Sequence, residues 1–274
     1  MKLLVIGASG YSGGRLARVA LSAGWRVVGT YWSSGPGPAG VEWRRLDVTD
    51  AAAVSALVST VEPTAVVNAA YAAPDWAVTA DGAAHVAVAA RAAGSRLVHV
   101  SSDAIFAGRP SPYVEDDVPS PVYPYGAAKA AAELAVRAVD PGAAVVRTSL
   151  IVGDGDSKQH RLSLDLALGR ARGVLFTDMV RCPIAVDDLA SALLELVTLD
   201  YAGVLNVAGP DAVDRHEMGR RIARHHGVDP DLVPAGTMAV AGFRGPGDVR
   251  LDSSRAAAVL RTRLRGVNEF LPLA

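Results

Sequence analysis

Leu3-Leu4-Val5-Ile6-Gly7-Ala8-Ser9-Gly10-Tyr11-Ser12-Gly13 lies at the head of the sequence. Consecutive apolar residues suit a short strand buried on both faces of a parallel sheet. Glycines at 7, 10 and 13 follow directly, and an amphipathic segment near 12–23 comes after them. The order is strand, tight turn, helix. In such a unit glycines let the main chain approach a pyrophosphate, and the free N–H groups of the helix start favour an anion. The spacing is G-x-x-G-x-x-G in place of G-x-G-x-x-G. The stretch reads as a dinucleotide cradle, with Gly7, Ser9, Gly10, Tyr11, Ser12 and Gly13 at the cofactor. The plainer alternative is an ordinary strand-to-helix turn that happens to contain glycine.

Working outward, the same alternation repeats. Apolar runs at Leu3–Ile6, Arg26–Thr30, Ala65–Asn68, Leu97–Ser101 and Ala144–Thr148 are separated by helix-like segments near 12–23, 50–60, 80–93 and 125–138. Strand and helix in alternation predict an α/β fold with a doubly wound parallel sheet, a Rossmann domain. Beyond residue 150 the pattern loosens. Gly153-Asp154-Gly155-Asp156 signals a loop, and helices are expected near 161–171, over Asp187–Leu199 and over Arg215–His226, with a returning strand at Val204–Val207. Asp214 is a candidate N-cap and Gly227 a stop for that last helix. The expected division is a dinucleotide-binding part, 1–152 with 183–208, and a smaller C-terminal substrate-binding subdomain, 153–182 with 209–274.

Further segments fit a nucleotide. Asp47-Val48-Thr49-Asp50 follows an expected third strand, where Asp47 and Val48 would meet the adenine and Asp50 would cap a helix. Asn68, Ala69 and Ala70 end a strand with small residues that allow a close approach. The segment Thr30-Tyr31-Trp32-Ser33-Ser34 carries no carboxylate where one ordinarily binds a ribose 2′-hydroxyl. Tyr31 is placed at the cofactor, and Arg15, Arg44 and Arg45 are the cations for a 2′-phosphate. NADP(H) is favoured and NAD(H) stays possible.

A second constellation lies downstream. Ser101-Ser102-Asp103 ends an apolar run, and Tyr125 and Lys129 stand four apart, on one face if helical. A free tyrosine titrates near pH 10, too high for proton transfer at neutrality, and an ammonium alongside would lower that value. Ser102, at a strand's C-terminal end, is placed to polarise a carbonyl, with Ser101 beside the cofactor. A surface helix pair and a polar loop are the plainer readings of these short motifs.

Composition narrows the classes. The chain has 274 residues, 50% hydrophobic and 20% charged, with a formal net charge of −1. No global field draws it to nucleic acid or an anionic membrane. The single cysteine, Cys182, excludes an intrachain disulfide and reads as a packed small residue. The opening apolar run is too short for a signal peptide or a membrane span, so a cytoplasmic protein is expected. The histidines show no metal-ligand spacing; His85 and His99 are expected to be packed, and no metal site is predicted.

The glycine loop, Asn68-Ala69-Ala70, Ser101-Ser102-Asp103-Ala104-Ile105-Phe106, Tyr125-x-x-x-Lys129, Arg147-Thr148-Ser149, Arg181-Cys182-Pro183 and Val186-Asp187-Asp188-Leu189 resemble the extended short-chain dehydrogenase/reductases. The likeness is strongest to dTDP-4-dehydrorhamnose reductases and related sugar-nucleotide-binding proteins, over nearly the whole chain. It implies Tyr125 as general acid, Lys129 as its pKa modulator and ribose ligand, and Ser102 as the hydroxyl partner. It implies a nucleotide-sugar substrate, a keto group as the reacting centre and a homodimer. Ser102 stands where the rhamnose reductases usually carry threonine. Thr79 stands where the superfamily usually carries asparagine, and the stretch after Ala70 is shorter. Ala104 replaces the glutamate of the sibling dehydratases, which argues against loss of water. A nucleotide-sugar epimerase and a non-catalytic cofactor-binding regulatory subunit are the alternatives.

A nucleotide-sugar needs cations for its diphosphate, and arginine's fork suits phosphate oxygens. The candidates are Arg147, Lys158, Arg161, Arg181, Arg244 and Arg250, with Arg181 and Arg244 foremost. Asp103 is placed at the substrate.

Overall fold

The computed structural model describes residues 1–33, 35–73, 75–153 and 157–272. Ser34 and most of the loop expected at Gly153-Asp154-Gly155-Asp156 lie outside the described residues. The first half runs β1 (Lys2–Ile6), α1 (Tyr11–Ser22), β2 (Arg26–Tyr31), β3 (Glu42–Arg45), α2 (Ala51–Val61), β4 (Ala65–Asn68), α3 (Gly82–Ala92), β5 (Arg96–Ser102), α4 (Pro124–Val139) and β6 (Ala144–Thr148). There follow β7 (Ile151–Val152), α5 (Lys158–Ala167), β8 (Leu175–Phe176), β9 (Val180–Arg181), β10 (Ile184–Ala185), α6 (Val186–Thr198) and β11 (Gly203–Asn206). The last elements are β12 (Val213–Asp214), α7 (Arg215–His225), β13 (Ala235–Gly236), α8 (Ser254–Val259) and α9 (Val267–Phe270).

Seven strands form one parallel sheet in the order β11-β6-β5-β4-β1-β2-β3. The expected doubly wound sheet is present, with a seventh strand beside β6. Alternate residues of β1 supply the two faces. Leu3 and Val5 pack with Leu16 of α1 and Leu189 and Leu193 of α6, while Leu4 and Ile6 pack with Val54 of α2, Val86 of α3 and Val136 of α4. Both faces are covered, which is why the strands read as unbroken apolar runs. Each fully buried Leu or Val contributes about 1.5–3 kcal/mol, so this double layer anchors every strand end that reaches the cleft. The strand order reverses between β1 and β4, and ligands of such sheets bind beyond the C-terminal strand ends at that switch.

Smaller apolar clusters lie beyond the sheet. Val152, Met218, Ile222, Val267 and Leu271 form one, and Leu166, Leu175, Ala223 and Val233 another. Two-stranded pairs, β10 with β7, β12 with β9 and β13 with β8, tie these segments together. Asp214 caps α7 as expected, its Oδ1 accepting from the Glu217 N–H at 2.7 Å, and Asp50 caps α2 through Ala53 at 3.0 Å. Helix α5 begins earlier than expected because the Ser157 hydroxyl caps it through the Gln159 N–H. It stops earlier because Gly169, at φ +68°, turns the chain.

The expected 80–93 helix has an irregular start. Residues Ala77–Asp81 form a π-helical turn that runs into α3, closed by the Gly82 N–H donating to the Ala77 carbonyl. Thr79 lies inside that turn, 1% exposed, and its hydroxyl accepts from the Ala72 N–H at 3.2 Å and donates to the Ala72 carbonyl at 3.1 Å. The residue at the usual asparagine position therefore fixes the loop that leaves β4.

Candidate active site

The glycine loop closes on itself. The Gly10 N–H donates to the Gly7 carbonyl at 3.0 Å, and Gly7 has φ +81°. A Cβ on Gly13 would stand 2.3 Å from the Gly7 oxygen, and one on Gly7 would meet the Ala70 main chain at 2.8 Å. Only glycine fits at these two positions. Helix α1 starts at Tyr11 with no side-chain cap and no acidic residue in its first turn. An uncapped helix start facing open space is the arrangement that accepts a pyrophosphate.

That space is a cavity of about 430 Å³ bounded by Gly7, Gly10, Tyr31, Asp47, Val48 and Ala70. A smaller one of about 290 Å³ lies on the other side of the loop, beside Tyr11, Arg15, Arg18 and Arg161. Asp47 is held by Thr49, whose N–H and hydroxyl donate to its Oδ1 at 2.9 and 2.7 Å. Those bonds keep its carboxyl below the usual range, hence ionised and able to accept from an amino group. Asn68 Oδ1 accepts from the Ala70 N–H at 3.1 Å and shapes the turn out of β4. Of the cations weighed for a 2′-phosphate, Arg15 is ion-paired with Asp187 and Arg44 with Glu42. The Arg45 guanidinium lies 4.4 Å from the centre of the Trp32 ring, and Trp32 lines the larger cavity. These residues fit a nicotinamide dinucleotide.

Ser102 closes β5, and the Ser102 and Tyr125 hydroxyls are hydrogen-bonded. Lys129 is on the same helix, α4, but its ammonium donates to the Val100 carbonyl at 2.9 Å and is fully buried. The expectation that Lys129 lowers the Tyr125 pKa is not met. Burial raises the phenol above its ordinary value, the Tyr71 side chain raises it further, and the Ser102 bond only partly offsets this. Burial brings Lys129 itself down to about 8, opposed by Glu133. A phenol held protonated is suited to donating a proton.

Tyr71 was passed over in the sequence reading. Its ring lies 5.9 Å from that of Tyr125, and the ammonium groups of Lys129 and Lys158 lie 5.6 and 5.7 Å from its centre. It directly follows Asn68-Ala69-Ala70, the one signal that could have found it. Tyr123, also missed, lies 6.1 Å from Tyr125 and is pushed up to about 12 by burial. Asp103 is buried and accepts from the Ser102 hydroxyl at 3.3 Å and the Ser149 hydroxyl at 2.7 Å. Burial raises its pKa, and Arg181, 3.5 Å away, opposes that rise.

Several assignments need correction. Arg147 is 1% exposed and makes an ion pair with Glu133 at 2.9 Å, with a further bond to the Glu115 carbonyl at 3.0 Å. It cannot reach a substrate, because its side chain turns to the α4 face of the sheet. The Ser101 hydroxyl turns the same way and donates to Glu133 at 2.5 Å, so it does not face the cofactor cleft. Arg181 adjoins Asp103, but its guanidinium donates to the carbonyls of Val180, Pro246 and Gly247 and is buried. Arg250 is held by Asp248 through bonds of 2.9 and 2.8 Å. Arg244 is exposed, and among the described residues its side chain makes no hydrogen bond or ion pair.

Cys182 is buried, and burial pushes its thiol up to about 11. His99 is buried between β5 and α4 and held near 3 by burial and by Lys129, so it stays neutral. Among the described residues no cluster of His, Cys, Asp or Glu could hold a metal, and no helix is long and apolar enough to cross a membrane. A cavity of about 730 Å³ lies beside residues 250–264 and touches neither the glycine loop nor Tyr125.

The chain is 33% identical to a dTDP-4-dehydrorhamnose reductase of Mycobacterium tuberculosis, over 85% of this chain and 78% of that protein. The structure of a hypothetical dTDP-4-dehydrorhamnose reductase from Sulfolobus tokodaii superposes with a TM-score of 0.83 at 28% identity, covering 97% of each chain. MoeE5 in complex with UDP-glucuronic acid and NAD gives 0.82 at 25% identity, over 99% of this chain and 96% of that one. The family described as the RmlD substrate binding domain matches residues 1–272. The chain belongs to that family.

Proposed function

We propose that this protein is an NAD(P)H-dependent oxidoreductase that reduces the keto group of a nucleoside-diphosphate 4-keto-6-deoxy sugar. The observation that carries this reading is the Ser102–Tyr125 pair at the C-terminal end of β5, its tyrosine ring 5.9 Å from that of Tyr71, which lines the cavity at the glycine loop. Gly7, Gly10 and Gly13 would hold the pyrophosphate, Asp47 the adenine, and Lys129 the nicotinamide ribose. The chemistry such a cofactor supplies when bound is a hydride for the carbonyl carbon.

The chain's own residues do the rest. Ser102 orients the carbonyl oxygen by hydrogen bond and stabilises the developing alkoxide. Tyr125, kept protonated by burial, gives its proton to that oxygen. Lys129 fixes the floor of the site through Val100 and places a positive charge below the tyrosine helix. The missing carboxylate after β2 and the Arg45 guanidinium beside Trp32 favour NADPH over NADH. In this reading residues 157–182 and 209–272 cover the sugar nucleotide.

The test is loss of nicotinamide absorbance with NADPH and NADH, on enzymatically generated dTDP-4-keto-6-deoxyglucose and its 3,5-epimerised product. Oxidation that falls about 10²–10⁴-fold in Tyr125→Phe, with cofactor affinity unchanged, is expected. Cofactor binding without net oxidation would overturn the reductase. Interconversion of sugar epimers would then identify an epimerase, the second reading. Absence of any turnover would point to the regulatory subunit.

A further inference from the structure

Arg215 is the first residue of α7, and its main-chain N–H donates to the Met179 carbonyl at 3.0 Å. Antiparallel pairing of β12 with β9 sets Val213 against Arg181 and Asp214 against Val180. The start of α7 therefore lies beside Arg181. The charges of Arg181 and Asp103 both act on the Arg215 guanidinium, and Arg215 acts in turn on Asp103. Asp103 is bonded to Ser102, which is bonded to Tyr125. Arg215 thus belongs to the polar group around the reacting pair.

What separates Arg215 from the other arginines here is the lack of a partner. Arg147 has Glu133, Arg250 has Asp248, and Arg181 has three main-chain carbonyls besides Asp103. Among the described residues the Arg215 guanidinium has no hydrogen bond and no ion pair. Burial, and then Arg181, draws its pKa down to about 10, which still leaves it charged at neutral pH. One carboxylate, with its own pKa raised, faces two guanidiniums. The side chain is only partly buried, so water serves the guanidinium in the free protein, and a ligand oxyanion would take the place of that water with a charge-assisted bond.

We infer that Arg215 binds an oxyanion of the substrate, a phosphate or carboxylate oxygen, beside the Ser102–Tyr125 pair. The planar fork can make paired, charge-assisted bonds to either group. The inference rests on the proposed nucleotide-sugar reading of the site. It gives to Arg215 the anchoring role that the sequence reading gave to Arg147, Arg181 and Arg244.

The experiment is calorimetric titration of the full chain, with NADP⁺ present, by thymidine diphosphate, thymidine, UDP-glucuronate and UDP-glucose. Wild type, Arg215→Lys and Arg215→Gln are compared, each with a thermal melt. If phosphate is the partner, Arg215→Gln binds thymidine diphosphate about 10- to 100-fold more weakly and thymidine unchanged, and Arg215→Lys recovers part of the loss. If carboxylate is the partner, the glutamine variant keeps thymidine diphosphate affinity and loses the preference for UDP-glucuronate over UDP-glucose. Wild-type affinities for all four ligands in Arg215→Gln would overturn the assignment. So would a loss of affinity for thymidine as large as that for thymidine diphosphate, because thymidine offers no oxyanion to the guanidinium. Failure of wild type to bind any nucleotide would instead overturn the reading of the site itself, and this inference with it.

Discussion

Lys129→Met should make the protein more stable and inactive at once. The ammonium is buried at 3% exposure, and burial lowers its pKa from 10.5 to about 8. At 1.36 kcal/mol per pH unit, the folded state carries a cost of about 3 kcal/mol at pH 7 that the unfolded chain does not. Methionine has similar length and no charge. It forfeits the 2.9 Å bond to the Val100 carbonyl, a loss of about 1 kcal/mol. Glu133 keeps its partners Arg147 and Ser101, so it is not left alone. The net gain is about 2 kcal/mol, or a melting temperature roughly 4–8 °C higher.

The sign of the pH dependence follows from the lowered pKa. Below pH 8 both states hold the proton and the wild type bears the full cost. Between pH 8 and about 10.5 the unfolded chain binds more protons than the folded one, so wild-type stability rises with pH. Melts of wild type and Lys129→Met at pH 7 and pH 10 should show the mutant's advantage at the lower pH and its disappearance at the higher. A mutant less stable than wild type at pH 7, or an advantage that does not change with pH, would refute the reasoning. The accompanying loss of turnover would mark Lys129 as a residue kept for function against stability.

Two further outcomes probe the scaffold of the site. Gly13→Ala forces a Cβ to within 2.3 Å of the Gly7 oxygen, and should weaken NADPH binding about tenfold or more, read by fluorescence titration. Thr79→Val keeps shape but removes both hydroxyl bonds to Ala72, and should cost about 1–3 kcal/mol in urea denaturation; an unchanged midpoint would mean that the Tyr71 loop is held by other contacts.

The fold was legible because each level of the sequence agreed. Leu3–Ile6, Ala65–Asn68 and Ala144–Thr148 are continuous apolar runs, and the structure buries them between helices on both faces. Tyr125, Lys129 and Ser102 were legible as a set from their order and spacing. Their electrostatics were not. Spacing places Lys129 on the face of Tyr125, but the direction of its ammonium toward Val100 is decided by β5, a distant segment. Ser101 and Arg147 were misassigned for a related reason. At a strand's end a one-residue difference chooses the face, and both side chains turn toward Glu133 on α4. The contact of Tyr71 with Tyr125, and the pairing of β12 with β9 that sets Arg215 beside Arg181, join segments far apart in the chain. No local period announces such meetings. The short helices α8 and α9 were hidden by a turn-rich composition too brief to show periodicity.

The π-helical turn at Ala77–Asp81 contains one residue more than a regular helix would need there. In the history of the chain such a surplus residue is vulnerable. A single deletion would regularise the backbone and close ordinary hydrogen bonds, so helix stability alone would favour its loss. Each residue of an α-helix advances the side chain by about 100°, so the same deletion would swing the remaining start of the helix away from Ala72. Thr79 would no longer tie down the loop that carries Tyr71. Length variation within 72–81 is therefore a sensitive lineage marker: descendants that shorten it gain a better helix and inherit a differently walled cleft.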